Sequence, residues 1–180
     1  QLANFDKEFE GAQVSGWAEL REAQALALSL SNTGLAAAID IGEADNIHPK
    51  NKPELARRLS LLALAKVYGK SIEFSGPVFD SFKVEGGKIT VLFAHSTGLR
   101  ARDGGVLKGF ALAGEDRVFH PARAQVIGSN VAVESPVVPD PLAVRYSWAT
   151  NPTGNLVNAS GLPAFPFRSD NWKLTTSGKY

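Results

Sequence analysis

Asp45 and His48 stand three residues apart in the stretch Gly42-Glu-Ala-Asp-Asn-Ile-His-Pro49. On a bending loop that spacing lets a carboxylate take the imidazole Nδ1–H, leaving Nε2 free to accept a proton from an alcohol nucleophile. The chemistry would be acyl transfer with His48 as general base. The seven residues before this loop, Leu35 to Ile41, are nearly all apolar, as in a strand buried on both faces of a parallel sheet. Open α/β sheets place their sites just past the C-terminal ends of such strands. Pro53 stands where a following helix would begin. An Asp-x-x-His loop also has a plain reading, as a solvated surface turn.

The remaining chemistry-bearing residues have weaker patterns. Asp40 lies within the apolar run, so burial there demands a hydrogen-bonding partner, expected from backbone or a helix terminus. Asp40 as the acid of a triad is the lesser alternative to Asp45, and Glu43 is expected in solvent. Ser129 in Ile-Gly-Ser-Asn-Val separates two alternating runs and reads as a hairpin turn. His95 is expected in a solvated loop and His120 as a partly buried structural residue; neither has metal-ligand spacing. Trp148, Phe165, Phe167 and Trp172 lie in an aromatic tail expected to pack between the two parts of the chain, with sugar stacking as the alternative. Asn158-Ala159-Ser160 is an N-glycosylation sequon.

These residues need elements to hold them. Gln1 to Phe5 reads as a short strand, and apolar residues at helical spacing predict a helix over 17–30 with Trp17, Leu20, Ala27 and Leu28 inward. A second helix is predicted over 53–68, with Leu55, Leu59, Leu62 and Ala63 on its apolar face and Arg57 and Arg58 in solvent. Residues 1–70 therefore predict strand–helix–strand–helix, half of a doubly wound sheet joined by a right-handed crossover. Beyond residue 70 the helical period stops. Short β-rich runs follow at 72–74, 81–84, 88–94, 108–113, 117–120, 122–127, 130–135 and 143–148, separated by turn signals such as Gly86-Gly87. Eight of the ten prolines fall there, as suits sheet edges and loops. Residues 71–180 predict a β-sandwich-like region with an aromatic tail.

The composition excludes several classes. Nineteen basic and eighteen acidic residues give a net charge of +1 with no basic stripe, so a nucleic-acid partner is not expected. No run approaches the roughly 18 apolar residues of a membrane span, and no membrane partner is expected. Absence of cysteine removes thiolate nucleophiles, disulfides and Cys-based metal sites. The chain begins at Gln1 and contains no methionine, which predicts a processed chain or a piece of a longer one.

The segment IDIGEADNIHPKNKPELARRLSLLALAKVYG resembles the last catalytic block of the sialate O-acetylesterase family, of the SGNH (GDSL-like) hydrolases. The likeness extends upstream through WAELREAQALAL and downstream through GFALAGEDRVFHPARAQVIGSNVAVESPVV and PLAVRYSWATNPTGNLVNASGLPAFPFRSDNW. The resemblance implies that 1–70 is the C-terminal part of an SGNH-type esterase domain, with Asp45 and His48 as triad acid and base. It implies serine acyl transfer on sugar acetyl esters, with no metal or organic cofactor. The substrate would be O-acetylated sialic acid or another acetylated glycan, acetylated xylan among them. The location would be secreted, periplasmic or lysosomal. The family's Gly-Gln-Ser-Asn nucleophile block and oxyanion-hole blocks are absent from these residues, so the N-terminal part of the same enzyme is the expected partner. Two corollaries follow: the 180-residue chain should be inactive alone, and residues 1–69 should carry an unpaired strand edge and an apolar patch. The competing expectation is a carbohydrate-binding or interaction module without catalysis.

Overall fold

The computed structural model describes residues 1–178. Helix α1 (Gly16–Leu26) starts at Ser15, whose hydroxyl accepts the Ala18 N–H, and gives way to a 3-10 turn at Ala27–Ser29. Helix α2 (Lys52–Lys66) is capped by the Asn51 side chain on the Glu54 N–H, with Pro53 in the first turn. Both helices lie close to their predicted positions. No helix of the described residues is long and apolar enough to cross a membrane.

The strands begin with β1 (Val78–Glu85), β2 (Lys88–Ala94), β3 (Arg100–Ala101), β4 (Phe110–Ala113) and β5 (His120–Pro121). They continue with β6 (Arg123–Ile127), β7 (Asn130–Glu134), β8 (Ala143–Tyr146), β9 (Leu156–Val157) and β10 (Phe167–Arg168). Two four-stranded antiparallel sheets form, in the orders β1-β2-β7-β6 and β10-β8-β4-β5, with a small β3-β9 pair beside them. Period-2 alternation sets the inner face. Ile89, Val91 and Phe93 of β2 and Val131 and Val133 of β7 meet Phe110, Leu112, Val144 and Tyr146 of the second sheet. At roughly 1.5–3 kcal/mol per fully buried apolar side chain, this cluster is the main stabilising mass of the molecule. The strands between Val78 and Arg168 are consistent with a sandwich-like arrangement, although 72–74 forms no strand and 117–120 contributes only His120 to one.

The first seventy residues differ from expectation in a specific way. Gln1–Phe5 and Leu35–Ala38 form no regular element, and Ile39–Asp40 form a turn in which the Ile41 N–H donates to the Ala38 carbonyl at 3.3 Å. Neither stretch is a strand, because no neighbouring strand hydrogen-bonds to it among the described residues. Ala36 to Ile39 are nonetheless buried, while the N–H groups of Leu35 to Asp40 donate to no described residue. The fold is therefore mixed helix and sheet with antiparallel ladders, and no part of a doubly wound sheet forms among the described residues.

The helix faces depart from the prediction at particular positions, although Leu62 is buried, Leu55 and Ala63 are half-buried and Arg57 is exposed, as expected. In α1 the buried side chains are Ala18, Glu19 and Arg21, and Leu20 and Leu26 are exposed. In α2 Arg58 and Leu62 are buried, and Leu59, Leu64 and the following Val67 and Tyr68 are exposed. Polar anchors explain the departures. Arg21 is fully buried and donates to four carbonyls, those of Leu2, Ala3, Ala149 and Thr150, at 2.6–2.9 Å. Burial pushes its pKa down to about 10, and the converging carbonyl dipoles take the place of a carboxylate partner. Several large apolar side chains of the first seventy residues are left exposed.

Candidate functional site

The loop bearing Asp45 and His48 is built from short-range polar contacts. Glu43 and Asn46 form an isolated antiparallel bridge, which turns the chain at Ala44-Asp45. The His48 N–H donates to Asn46 Oδ1 at 2.9 Å. Glu43 accepts the Lys50 N–H at 2.9 Å and pairs with Lys50 Nζ at 2.8 Å; the Lys50 ammonium holds its carboxyl below the usual range. Glu43 is thus tied down rather than free in solvent.

The N-terminal segment straps this loop from outside. Asn4 Oδ1 accepts the Gly42 N–H at 2.6 Å, and the Asp6 N–H donates to the Ala44 carbonyl at 3.0 Å. A Cβ at position 42 would collide with the Asn4 carbonyl, so the strap passes only over glycine. Asn4 Nδ2 in turn donates to Asn151 Oδ1 at 2.8 Å, joining the strap to the loop after β8.

On the inner side, Asp40 is held by side chains rather than by the expected backbone or helix-terminus partner. Its carboxylate receives Arg58 Nη1 and Nη2 at 2.6 and 2.9 Å and Arg102 Nη2 at 2.9 Å. Arg58 also donates to the Ala37 carbonyl at 2.7 Å and to Glu54 at 2.8 Å. Its burial works against its charge, but the Asp40 carboxylate outweighs that and raises its pKa. Arg58 was expected in solvent. The sequence signal was available: the buried Asp40 needed a counter-charge, and Arg58 lies one α2 turn before the buried Leu62.

Asp45 and His48 share this loop, and both are exposed. Among the described residues no hydrogen bond joins the Asp45 carboxylate to the His48 imidazole. The carboxylate–imidazole pair that does form is Glu73–His95, with Nδ1 to Oε1 at 2.7 Å. Glu73 Oε1 also accepts the Phe74 and Ser75 N–H groups, and the His95 ring meets Phe74 edge-on at 5.1 Å. That pair fastens the connection before β1 to the end of β2, so His95 is a half-buried joint and not a solvated loop residue.

The other candidates settle by burial. Gly128-Ser129 is the two-residue turn between β6 and β7, where Ile127 pairs with Asn130. His120 is half-buried in β5 opposite Leu112. Trp148, Phe165 and Phe167 are buried, leaving Trp172 half-exposed, so packing accounts for most of the aromatic tail. Asn158 is 1% exposed and donates to the Ser75 and His95 carbonyls, so its side chain has no room for a glycan. No group of three or more His, Asp or Glu among the described residues is placed to hold a metal ion.

No family model matches the chain, and no curated protein sequence matches it. Among solved structures it is similar to XAC1771, a novel carbohydrate acetylesterase from Xanthomonas citri, at 45% identity with a TM-score of 0.89. The match covers 96% of this chain and 40% of that one, so the chain spans about two fifths of the length of the esterase it resembles.

Proposed function

We propose that this chain is the His- and Asp-bearing part of a carbohydrate O-acetylesterase that works by serine acyl transfer. The likeness to a carbohydrate acetylesterase across nearly the whole chain, at 45% identity, carries the reading. In it, His48 removes the proton from a serine hydroxyl and later returns it to the sugar leaving group. Asp45 orients the imidazole and stabilises its charged form. The serine and the oxyanion donors belong to a further part of the parent polypeptide. That part seats against the Leu35–Ile41 run, whose N–H groups from Leu35 to Asp40 find no partner among the described residues, and against the exposed leucines of α1 and α2, completing a parallel SGNH-type sheet. The loop is already fixed by Asn4, Glu43 and Asp40, whereas the Asp45 and His48 side chains remain in solvent and pair once that surface is covered.

The substrate is an acetyl ester on a glycan, and sialic acid and plant-type glycans share this chemistry. The test is hydrolysis of a sugar acetate by the parent polypeptide and by the 180-residue chain alone. Turnover by the first and none by the second is expected. Robust hydrolysis by the isolated chain would remove the division of labour. A second reading, a glycan-binding module without catalysis, draws on the missing Asp45–His48 hydrogen bond. It would be favoured if the parent binds acetylated glycan but leaves it intact.

A further inference from the structure

A cavity of about 290 Å³ opens where the buried Leu35–Ile41 run ends. Asn4, Glu8, Asp40, Arg102, Asp103 and Asn155 are among its walls. It adjoins the Asp45–His48 loop: Asn4 holds the Gly42 N–H, and Asp6, two residues before Glu8, holds the Ala44 carbonyl.

Most polar groups around the cavity are already used. Asn4 spends its amide on Asn151 and Gly42. Asn155 donates to Asp103 Oδ1 and the Val106 carbonyl and accepts the Lys108 N–H. Three groups are left with capacity. Arg102 commits Nη2 to Asp40 at 2.9 Å, while its Nε and Nη1 donate to no described residue and its side chain is 42% exposed. Asp103 uses Oδ1 for Gly105 and Asn155, leaving Oδ2. The Glu8 carboxylate has no partner among the described residues, and Glu8 is exposed.

A guanidinium steadied from behind thus stands with two carboxylates that still have room for donors. A sugar hydroxyl both donates and accepts, so neighbouring hydroxyls satisfy such a set: one accepts from Arg102 while they donate to the carboxylates. A sugar bearing its own carboxylate would compete with Asp40 for Arg102 and would meet Glu8 and Asp103 with like charge.

We infer that this cavity is a subsite for adjacent hydroxyls of an uncharged sugar, with Arg102 donating and Glu8 and Asp103 accepting. The inference rests on the acetylesterase reading and deepens it, by naming a neutral rather than an acidic acetylated sugar as substrate.

The experiment measures kcat/KM of the parent polypeptide on three esters: partly acetylated cellobiose, an acetylated uronic acid and 4-nitrophenyl acetate. The neutral sugar ester should exceed the acidic one. In Glu8→Gln, Asp103→Asn and Arg102→Ala, the ratio of neutral-sugar to aryl-ester kcat/KM should fall about tenfold, mainly through KM. Loss of folding lowers both rates together and leaves the ratio standing, and Glu8→Gln removes no internal contact. Unchanged ratios in Glu8→Gln and Asp103→Asn, or a preference for the acidic sugar, overturn the subsite while the esterase reading stands. A parent without activity on any of the three esters overturns the esterase reading and the subsite with it.

Discussion

Arg58 grips Asp40 through both terminal nitrogens, at 2.6 and 2.9 Å, and so ties the first turns of α2 to the turn that ends the apolar run. The Asp45–His48 loop lies between these two residues in the chain, and their ion pair fixes its two ends relative to each other. Both side chains are nearly closed to solvent, 5% exposed for Arg58 and 7% for Asp40.

Breaking that pair by Arg58→Met is expected to cost about 3 kcal/mol, since Asp40 would remain buried with Arg102 alone. Urea denaturation of this chain measures it through the transition midpoint. A change within about 0.5 kcal/mol would mean that the pair contributes no more than a surface contact.

Replacing His48 by Ala in the parent polypeptide should lower kcat on a sugar acetate by about a thousandfold or more. Asp45→Asn should lower it by about a hundredfold or more, with the denaturation midpoint unmoved, because Asp45 is exposed. Asp40→Asn should instead lower the midpoint, through Arg58. If Asp40→Asn removes activity at constant stability and Asp45→Asn does not, Asp40 is the triad acid.

Glu19 accepts the N–H and hydroxyl of both Thr175 and Thr176, fastening the end of the chain to α1. Its burial opposes ionisation, but these bonds outweigh that and hold its pKa at about 2, against an ordinary 4.5. A depressed carboxyl stabilises the fold above its ordinary pKa, and that contribution is lost as pH falls from there through about 2. Wild type should therefore lose on the order of 2 kcal/mol more than Glu19→Gln across that window. Denaturation midpoints at a series of pH values read this directly. Parallel pH curves for the two proteins would show that the latch stores no such energy.

The sequon at Asn158 should stay empty in folded protein, because its amide is spent on the Ser75 and His95 carbonyls and accepts the Leu162 N–H. Mass spectrometry after expression through a eukaryotic secretory route checks this, and stoichiometric glycan at Asn158 on stable protein would contradict the burial. Asn158→Ala should destabilise by about 2 kcal/mol, as carbonyls lose buried partners.

Much of this molecule could be read without coordinates. Strong local signals determined α1, α2 and most of the sandwich strands: apolar residues at helical spacing, Pro53 in a first turn, and β-rich runs between turn signals such as Gly86-Gly87. The Asp45–His48 spacing was equally visible, because three positions on one loop need no tertiary information. Tertiary structure alone decided which way the helices face, since Arg21 and Arg58 are buried only where distant carbonyls and the Asp40 carboxylate converge on them. It also decided that Leu35–Ile41 is not a strand: apolarity can bury a segment, but a ladder exists only where a second backbone lies alongside. The cavity at Arg102 belongs to the same class, for its walls come from four separate stretches of chain that no local pattern brings together.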